Sequence, residues 1–526
     1  MTQHLVKAFN ALPQSKGPNG TWHFDLRYNP LEPAPCHVLI LMQPNSGVIH
    51  VERLPIGLPA DESGIEFFPE SVKEATPEIT KSILHIFVNK LNTTSLKTPA
   101  PAKLSTRDRE LAPSVTVELK RLNVRPSDFY RVSICTPQVD RLTDTLFEPI
   151  FQTMKKEAGY TGAAGRIIPT PESIGLWNFR LDPVLPDRNP SFAQDQTNYL
   201  QLRTNAGLPT AKAADMSRQF AYLTSVMQDD PKSLFVKAGA DDGNPDDALD
   251  YALRLHVGLG CKRDRTRARY YAVKAIKLPD ASDAVKVTAH GLLIDWLVHS
   301  SKDDFRKRYM YSASHHASVS AIICRRLYVP SSGAPPASPA VLWFMQHMFL
   351  RQLSQAPELK VLYKDAMWAI DERTQQLKGG QKKMQAKKLK FPLRYRCAAV
   401  GCGVEADRGK MLAQCAGKCD PDKKPSYCSK ECQRADWKNH KPYCRPGAEC
   451  SVIDDGSTST PNLVEPIKSS SGALQVPIKL QDGSMQYVSS STMDAEGLKE
   501  LRDLVQENLT SFGDMPSSIS ISLERL

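Results

Sequence analysis

Early in the chain the apolar positions alternate between short unbroken runs and helical spacing. Residues 22–53 read as strands, because two apolar stretches, Cys36–Met42 and Gly47–Arg53, flank the turn-forming run Gln43-Pro44-Asn45-Ser46. From Glu78 to Leu91 the residues Ile79, Ile83, Ile86 and Phe87 recur as on one face of a helix. Asn92–Pro113, rich in Thr, Pro and Lys, reads as a linker, Val115–Leu122 as a strand, and Asp144–Ala158 as a helix. Residues 1–160 are therefore expected to form a mixed α/β region of no identifiable type. Pro169, Pro171, Pro183, Pro186 and Pro190 make 161–205 an irregular connector.

From 206 to 378 the pattern is helical almost throughout. The expected helices are Ala213–Met227, Asp246–Val257, Asp264–Ile276, Ser282–Val298, Asp303–Leu327, Ala340–Gln355 and Glu358–Leu377. Pro279, Gly291 and the Pro330–Pro339 run punctuate them. Short connections of this kind favour antiparallel helical hairpins stacked side by side. Residues 379–396 then read as a basic linker and 451–472, rich in Ser, Thr and Pro, as a flexible one. In 473–526, Leu474–Leu480 and Met485–Val488 flank Gln481-Asp482-Gly483-Ser484, a hairpin signal. Asp494 follows as the cap of a helix carrying Leu498, Leu501, Val505 and Leu509, and this appendage is expected to dock elsewhere on the protein.

Composition adds little to this outline until the cysteines are counted. The 41% apolar and 24% charged content is that of an ordinary soluble globular chain. The longest aliphatic run, Val38–Met42, is far too short to cross a bilayer. The first residues carry neither an apolar core nor an Arg-rich amphipathic face, and Cys36, Cys135, Cys261 and Cys324 are scattered as in a reducing compartment. A cytoplasmic or nuclear protein, not a secreted one, is expected. Lys378–Arg396 holds eight basic residues and no acidic one, which suits a solvated linker first and a nuclear-import or nucleic-acid contact second.

Seven of the 12 cysteines, together with His440, lie between 397 and 444. Cys397, Cys402, Cys415, Cys419, Cys428, Cys432, His440 and Cys444 form four close pairs of soft donors, the number two tetrahedral zinc ions need. So short a segment cannot bury enough apolar surface to fold alone, so metal supplies its folding energy. Ligation also trims the formal charge of +11 to about +8, since thiolates outnumber the charge that two zinc ions bring. Ser429–His440 lacks Gly and Pro and reads as a helix. Cys428 and Cys432 can then grip one ion, whereas His440 lies about 12 Å further along the axis and about 80° around it. Cys432 and His440 therefore belong to different zincs and the sites interleave. Spacing leaves two assignments open for the first two cysteine pairs.

Two stretches resemble known families. Gly258, Gly260, Asp264, Ala268, Tyr271 and Ala275 resemble a tetratricopeptide-like repeat of the Sel type over residues 247–276. That family implies a turn at the glycines, a helix opened by the Asp and a seam of small and aromatic residues. Leu255, Ala252 and Cys261 depart from its usual Tyr, Gly and Val. Tyr427-Cys-x3-Cys-Gln-x3-Trp-x2-His-x3-Cys444 resembles the end of a MYND-type zinc finger, and the full eight-donor series fits that family. The resemblance implies Cys397, Cys402, Cys428 and Cys432 on a first structural zinc, and Cys415, Cys419, His440 and Cys444 on a second. It also implies a peptide-binding module, often for proline-containing motifs, with Gln433 and Trp437 in the partner groove. Loop lengths differ from the commonest spacing, and Ala416 stands where some members carry a groove Ser.

The expected architecture is thus multidomain α+β: a mixed α/β region, an all-α helical-repeat region, an interleaved two-zinc finger and a β-hairpin plus helix. The expected function is a zinc-binding scaffold or adaptor for proteins or peptides, with the helical repeats binding another partner. A nuclear transcriptional co-regulator is the alternative. A protein lysine methyltransferase fits less well, because its Asn-His-Ser-type block and cysteine-bearing tail are not found. No P-loop, dinucleotide fingerprint, His-Glu-x-x-His or nucleophile elbow occurs either, so the chain reads as non-catalytic.

Overall fold

In the computed structural model of the protein, residues 2–15, 18–91, 99–125, 131–176, 192–209, 233–298, 307–390, 392–406, 412–421, 423–449, 451, 474–479, 485–490 and 493–511 are described. The chain divides into two compact units, the first reaching Ile370 and the second containing Asp371 onward. Among the described residues no helix is long and apolar enough to cross a membrane.

The first unit is built on a five-stranded sheet ordered β3-β2-β1-β4-β5. Its strands are β1 (Thr21–Asn29), β2 (Cys36–Gln43), β3 (Val48–Leu54), β4 (Lys103–Thr106) and β5 (Val132–Ile134). The expected hairpin is β2–β3, antiparallel, with Gln43 opposite Val48. β1 lies antiparallel to β2, while β4 and β5 run parallel to β1. Three helices carry apolar residues into one core with Trp22, Phe24, Leu39, Leu41 and Leu104: α1 (Thr2–Asn10), α2 (Val72–His85) and α3 (Leu111–Arg121).

Two corrections arise here. Val115–Leu122, expected as a strand, lies almost wholly within α3: Leu111, Val115 and Leu119 are buried at a four-residue spacing, which outweighs the β preference of its Val and Thr residues. The expected linker 92–113 contains β4, too short a run to register as a strand, and 92–98 lie outside the described residues.

The other core joins the sheet to α4 (Pro137–Glu157), which starts before the expected 144, and to the helical region itself. Val38 and Ile40 share it with Phe147 and Phe151 of α4 and with Trp296, Tyr309 and Phe344, so the α/β and helical regions are one packed body rather than separate domains. Ion pairs anchored on buried Arg27 and Glu70 cross the same seam. Arg27, 1% exposed, donates Nε to Asp25 at 2.8 Å, Nη2 to Asp144 at 2.6 Å and Nη1 to the Pro171 carbonyl at 3.1 Å, with its plane over Phe147. Glu70 accepts from Arg265 Nε at 3.1 Å and Tyr309 Oη at 3.0 Å.

The connector 161–205 is not irregular throughout: it carries the short helix α5 (Gly162–Ile167) and, in its described last part, α6 (Phe192–Ala206). Residues 177–191 and the expected helix Ala213–Met227 lie outside the described residues. Beyond them come α7 (Ser233–Asp241), α8 (Pro245–Val257), α9 (Arg265–Lys277), α10 (Asp283–Val298) and α11 (Lys307–Leu327), each packed on the next. Gly291 does not interrupt α10. It sits inside that helix where a Cβ would lie 2.7 Å from Ala206 Cα, so its missing side chain lets the end of α6 approach.

The α8–α9 hairpin forms as expected. Gly258 caps α8 at φ +96°, the left-handed region a side chain resists. Asp264 caps α9 by accepting from the Arg267 amide at 2.9 Å. Ala268, Tyr271 and Ala275 are buried, with Tyr251 edge-on to Tyr271 at 4.8 Å.

After α12 (Pro339–Phe344), which continues through a π turn at Met345–Phe349, the expected helix 358–377 is split. α13 (Glu358–Leu362) ends at fully buried Tyr363, and α14 (Lys364–Lys390) then runs on through much of the stretch expected to be an extended basic linker. Lys, Gln, Met, Ala and Leu are good helix formers and no proline lies between Lys364 and Phe391, so propensity outweighs repulsion among the lysines.

The second unit holds the cysteine-rich segment, with β6 (Glu405–Ala406), β7 (Ala413–Gln414), β8 (Ser426–Tyr427) and α15 (Lys430–His440). The C-terminal β9 (Leu474–Lys479), β10 (Met485–Ser490) and α16 (Ala495–Ser511) form the expected hairpin and helix. They dock on the finger itself: β9 adds to β6, and Leu474, Val476, Ala495 and Leu498 are buried with Val404, Ala406 and the ligand cysteines.

Candidate metal centre

Local structure brings the eight donors together as two quartets. α15 begins where Ser429 Oγ accepts the Cys432 amide at 3.2 Å, placing Cys428 and Cys432 at the helix entry. Tyr427 Oη donates to buried Asp436 at 2.8 Å, which ties β8 to the middle of that helix. At its far end are His440 and, past one short turn, Cys444. β8 pairs with β7, so Cys415 lies one residue beyond the strand Ala413–Gln414.

Cys397, Cys402, Cys428 and Cys432 form one group, and Cys415, Cys419, His440 and Cys444 the other, with the donor atoms of each within 4.8 Å of one another. Of the two arrangements that spacing allowed, the structure has the one implied by the family resemblance. In the first group Cys428 Sγ is 3.5 Å from both Cys402 and Cys432, and Cys432 is 3.7 Å from Cys402. In the second, Cys444 is 3.8 Å from Cys415 and 3.6 Å from Cys419, and Cys419 is 3.3 Å from His440 Nε2. Tetrahedral zinc with Zn–S bonds of about 2.3 Å sets sulfurs about 3.7 Å apart, so both groups fit the ion.

Crowding of the sulfurs favours a bound cation at these positions. Crowding with Cys397 and Cys402, and then burial, push the Cys428 thiol far up. Burial and the Cys444 and Cys415 sulfurs push Cys419 up to about 12. A divalent cation turns this crowding favourable by ionising the thiols outright. Burial lowers His440, keeping its imidazole neutral with a free lone pair, as a metal ligand must be. Its Nδ1 faces Ser451 Oγ at 2.9 Å, an outer partner that fixes the ring with Nε2 toward the cysteines. All eight donors are used in two complete four-donor sets, so both sites are structural: two zinc ions, in interleaved order.

Gln433 is half-buried on α15, and Trp437, one turn on, is 42% exposed with its ring edge-on to His440 at 6.1 Å. Two residues that touch the metal ligands gave no sequence signal strong enough to find them. Ser451 lies beyond the motif. At Gly417 a Cβ would overlap Cys444 Sγ. The position between Cys415 and Cys419 was the available clue to Gly417. A Gly417→Ala chain should therefore bind fewer than two zincs by metal analysis, and a full complement would contradict this packing.

The family model of the MYND finger matches residues 397–444, and MYND fingers are protein–protein interaction modules. No solved structure matches the chain.

Proposed function

We propose that this protein is a non-catalytic adaptor whose zinc finger docks a short, extended, proline-containing peptide segment against Gln433 and Trp437. The observation that carries this reading is Trp437. The zinc ligands Cys432 and His440 of the same helix are buried, yet this indole remains 42% exposed one turn from a half-buried amide. An indole beside a hydrogen-bonding amide suits a strand with few backbone donors. The helical region, with one Sel-type hairpin at 247–276, would offer a second surface to another protein. Scattered free thiols and the basic run 378–396 favour the cytosol or nucleus, and a nuclear co-regulator would use the same finger.

Aromatic anchors in such grooves typically contribute about 2 kcal/mol or more. A Trp437→Ala chain should therefore lose about thirtyfold or more in affinity for proline-containing peptides selected on the wild type, while keeping two zincs. Equal binding by the variant in fluorescence anisotropy rejects the groove.

A further inference from the structure

The two zinc sites differ in charge and in what stands behind them. Four thiolates around a divalent ion leave two negative charges, while three thiolates and a neutral imidazole leave one. Behind the second site is a neutral hydroxyl, Ser451 on His440. Behind the first is the C-terminal helix. Lys499 Nζ donates to Cys432 Sγ at 3.2 Å, and Arg502 Nη1 donates to the Cys402 carbonyl at 3.3 Å. Both cations come from α16, and both reach residues of the more negative site.

The helix is held there by backbone and core. β9 pairs with β6 through Gln475 opposite Glu405 and Leu474 opposite Ala406, just past Cys402. Gln475 Nε2 also donates to Glu405 at 2.9 Å. Val404, Ala406, Val476 and Leu498 are fully buried together, and the Pro477 ring lies against Gly403, where a Cβ would come within 3.1 Å of it.

We propose that the C-terminal hairpin and helix are a built-in outer wall of the first zinc site, with Lys499 as a positioning cation that secures the metal through Cys432. This rests on the zinc assignment and not on the peptide groove. An ammonium N–H directed at a thiolate sulfur offsets the excess negative charge of the four-thiolate site and occupies a sulfur lone pair, making that sulfur a poorer nucleophile toward outside electrophiles. The sequence separation is the reason the finger motif does not disclose this role.

The test uses the full zinc-loaded chain, limiting N-ethylmaleimide and mass-spectrometric mapping of the modified cysteines. Outer partners of metal ligands typically change affinity by about 10–100-fold. Lys499→Met should raise modification of Cys432 about tenfold relative to Cys261, a free, half-buried thiol of the first unit that serves neither zinc site. Lys499→Arg, which keeps the charge and the donor, should retain two zincs and the wild-type ratio. The charge-retaining variant keeps the test decisive even if Lys499→Met fails to hold metal. An unchanged Cys432-to-Cys261 ratio in Lys499→Met overturns the proposal, as does a Lys499→Arg chain as reactive as the Met variant.

Discussion

A Cys432→Ser chain should contain close to zero zinc per molecule rather than one. The four donors of the second site are untouched by this change, so independent sites would leave that ion in place. Here the order of ligands along the chain alternates between sites, and α15 carries Cys432 of the first and His440 of the second. Opening the first site frees the entry of that helix and the strand pair β7–β8 that leads into it. Structural zinc supplies about 10–16 kcal/mol in comparable fingers, well above what so small an apolar core supplies alone. Native mass spectrometry decides the matter: a stable one-zinc species would show that the sites fold independently.

The second large effect concerns the first unit. Arg27→Met should lower its stability by about 3–5 kcal/mol, the usual consequence of leaving a buried charge without its partner. Asp25, 3% exposed, loses the guanidinium and keeps, among the described residues, the Ser173 hydroxyl. Asp144 and the Pro171 carbonyl lose theirs as well, so α4 and the segment behind it are loosened from β1. Urea denaturation followed by far-UV circular dichroism should show a lower midpoint for the first transition. Adding Asp25→Asn should recover part of the loss, because the orphaned charge is then removed. Arg121→Met, at an exposed pair with Glu118, serves as the control and should leave the midpoint in place. Equal midpoints for wild type and Arg27→Met would show that this network is not what joins helix and sheet.

The sites were legible in sequence to an unusual depth because metal ligation constrains spacing so tightly. Eight soft donors and the pitch of one helix sufficed to require interleaving. The hairpin around Gly258 and Asp264 was legible through its resemblance to a Sel-type repeat, and the structure supplies the reason, a left-handed glycine and a capping carboxylate. Failures occurred where a local preference lost to burial. α3 reads as β-branched chain until Leu111, Val115 and Leu119 meet a core, and Gly291 reads as a break until Ala206 is seen against it. The basic run failed in the opposite way: charge suggested an extended linker, while side-chain propensity continued α14 to Lys390.

By itself the sequence determined that two zinc ions organise residues 397–444, that Cys432 and His440 serve different ions, and where most of the helices lie, because ligand spacing, caps and period are local and short-range; the full ligand sets came from the family resemblance and from the fold. The tertiary structure alone decided that the α/β region and the helices share one core, that Ser451 stands behind His440, and that the C-terminal helix brings Lys499 to Cys432. These depend on which buried surfaces find one another across long stretches of chain. Hydrophobic burial is non-directional, so an apolar face states that it will be covered and leaves the covering partner unspecified.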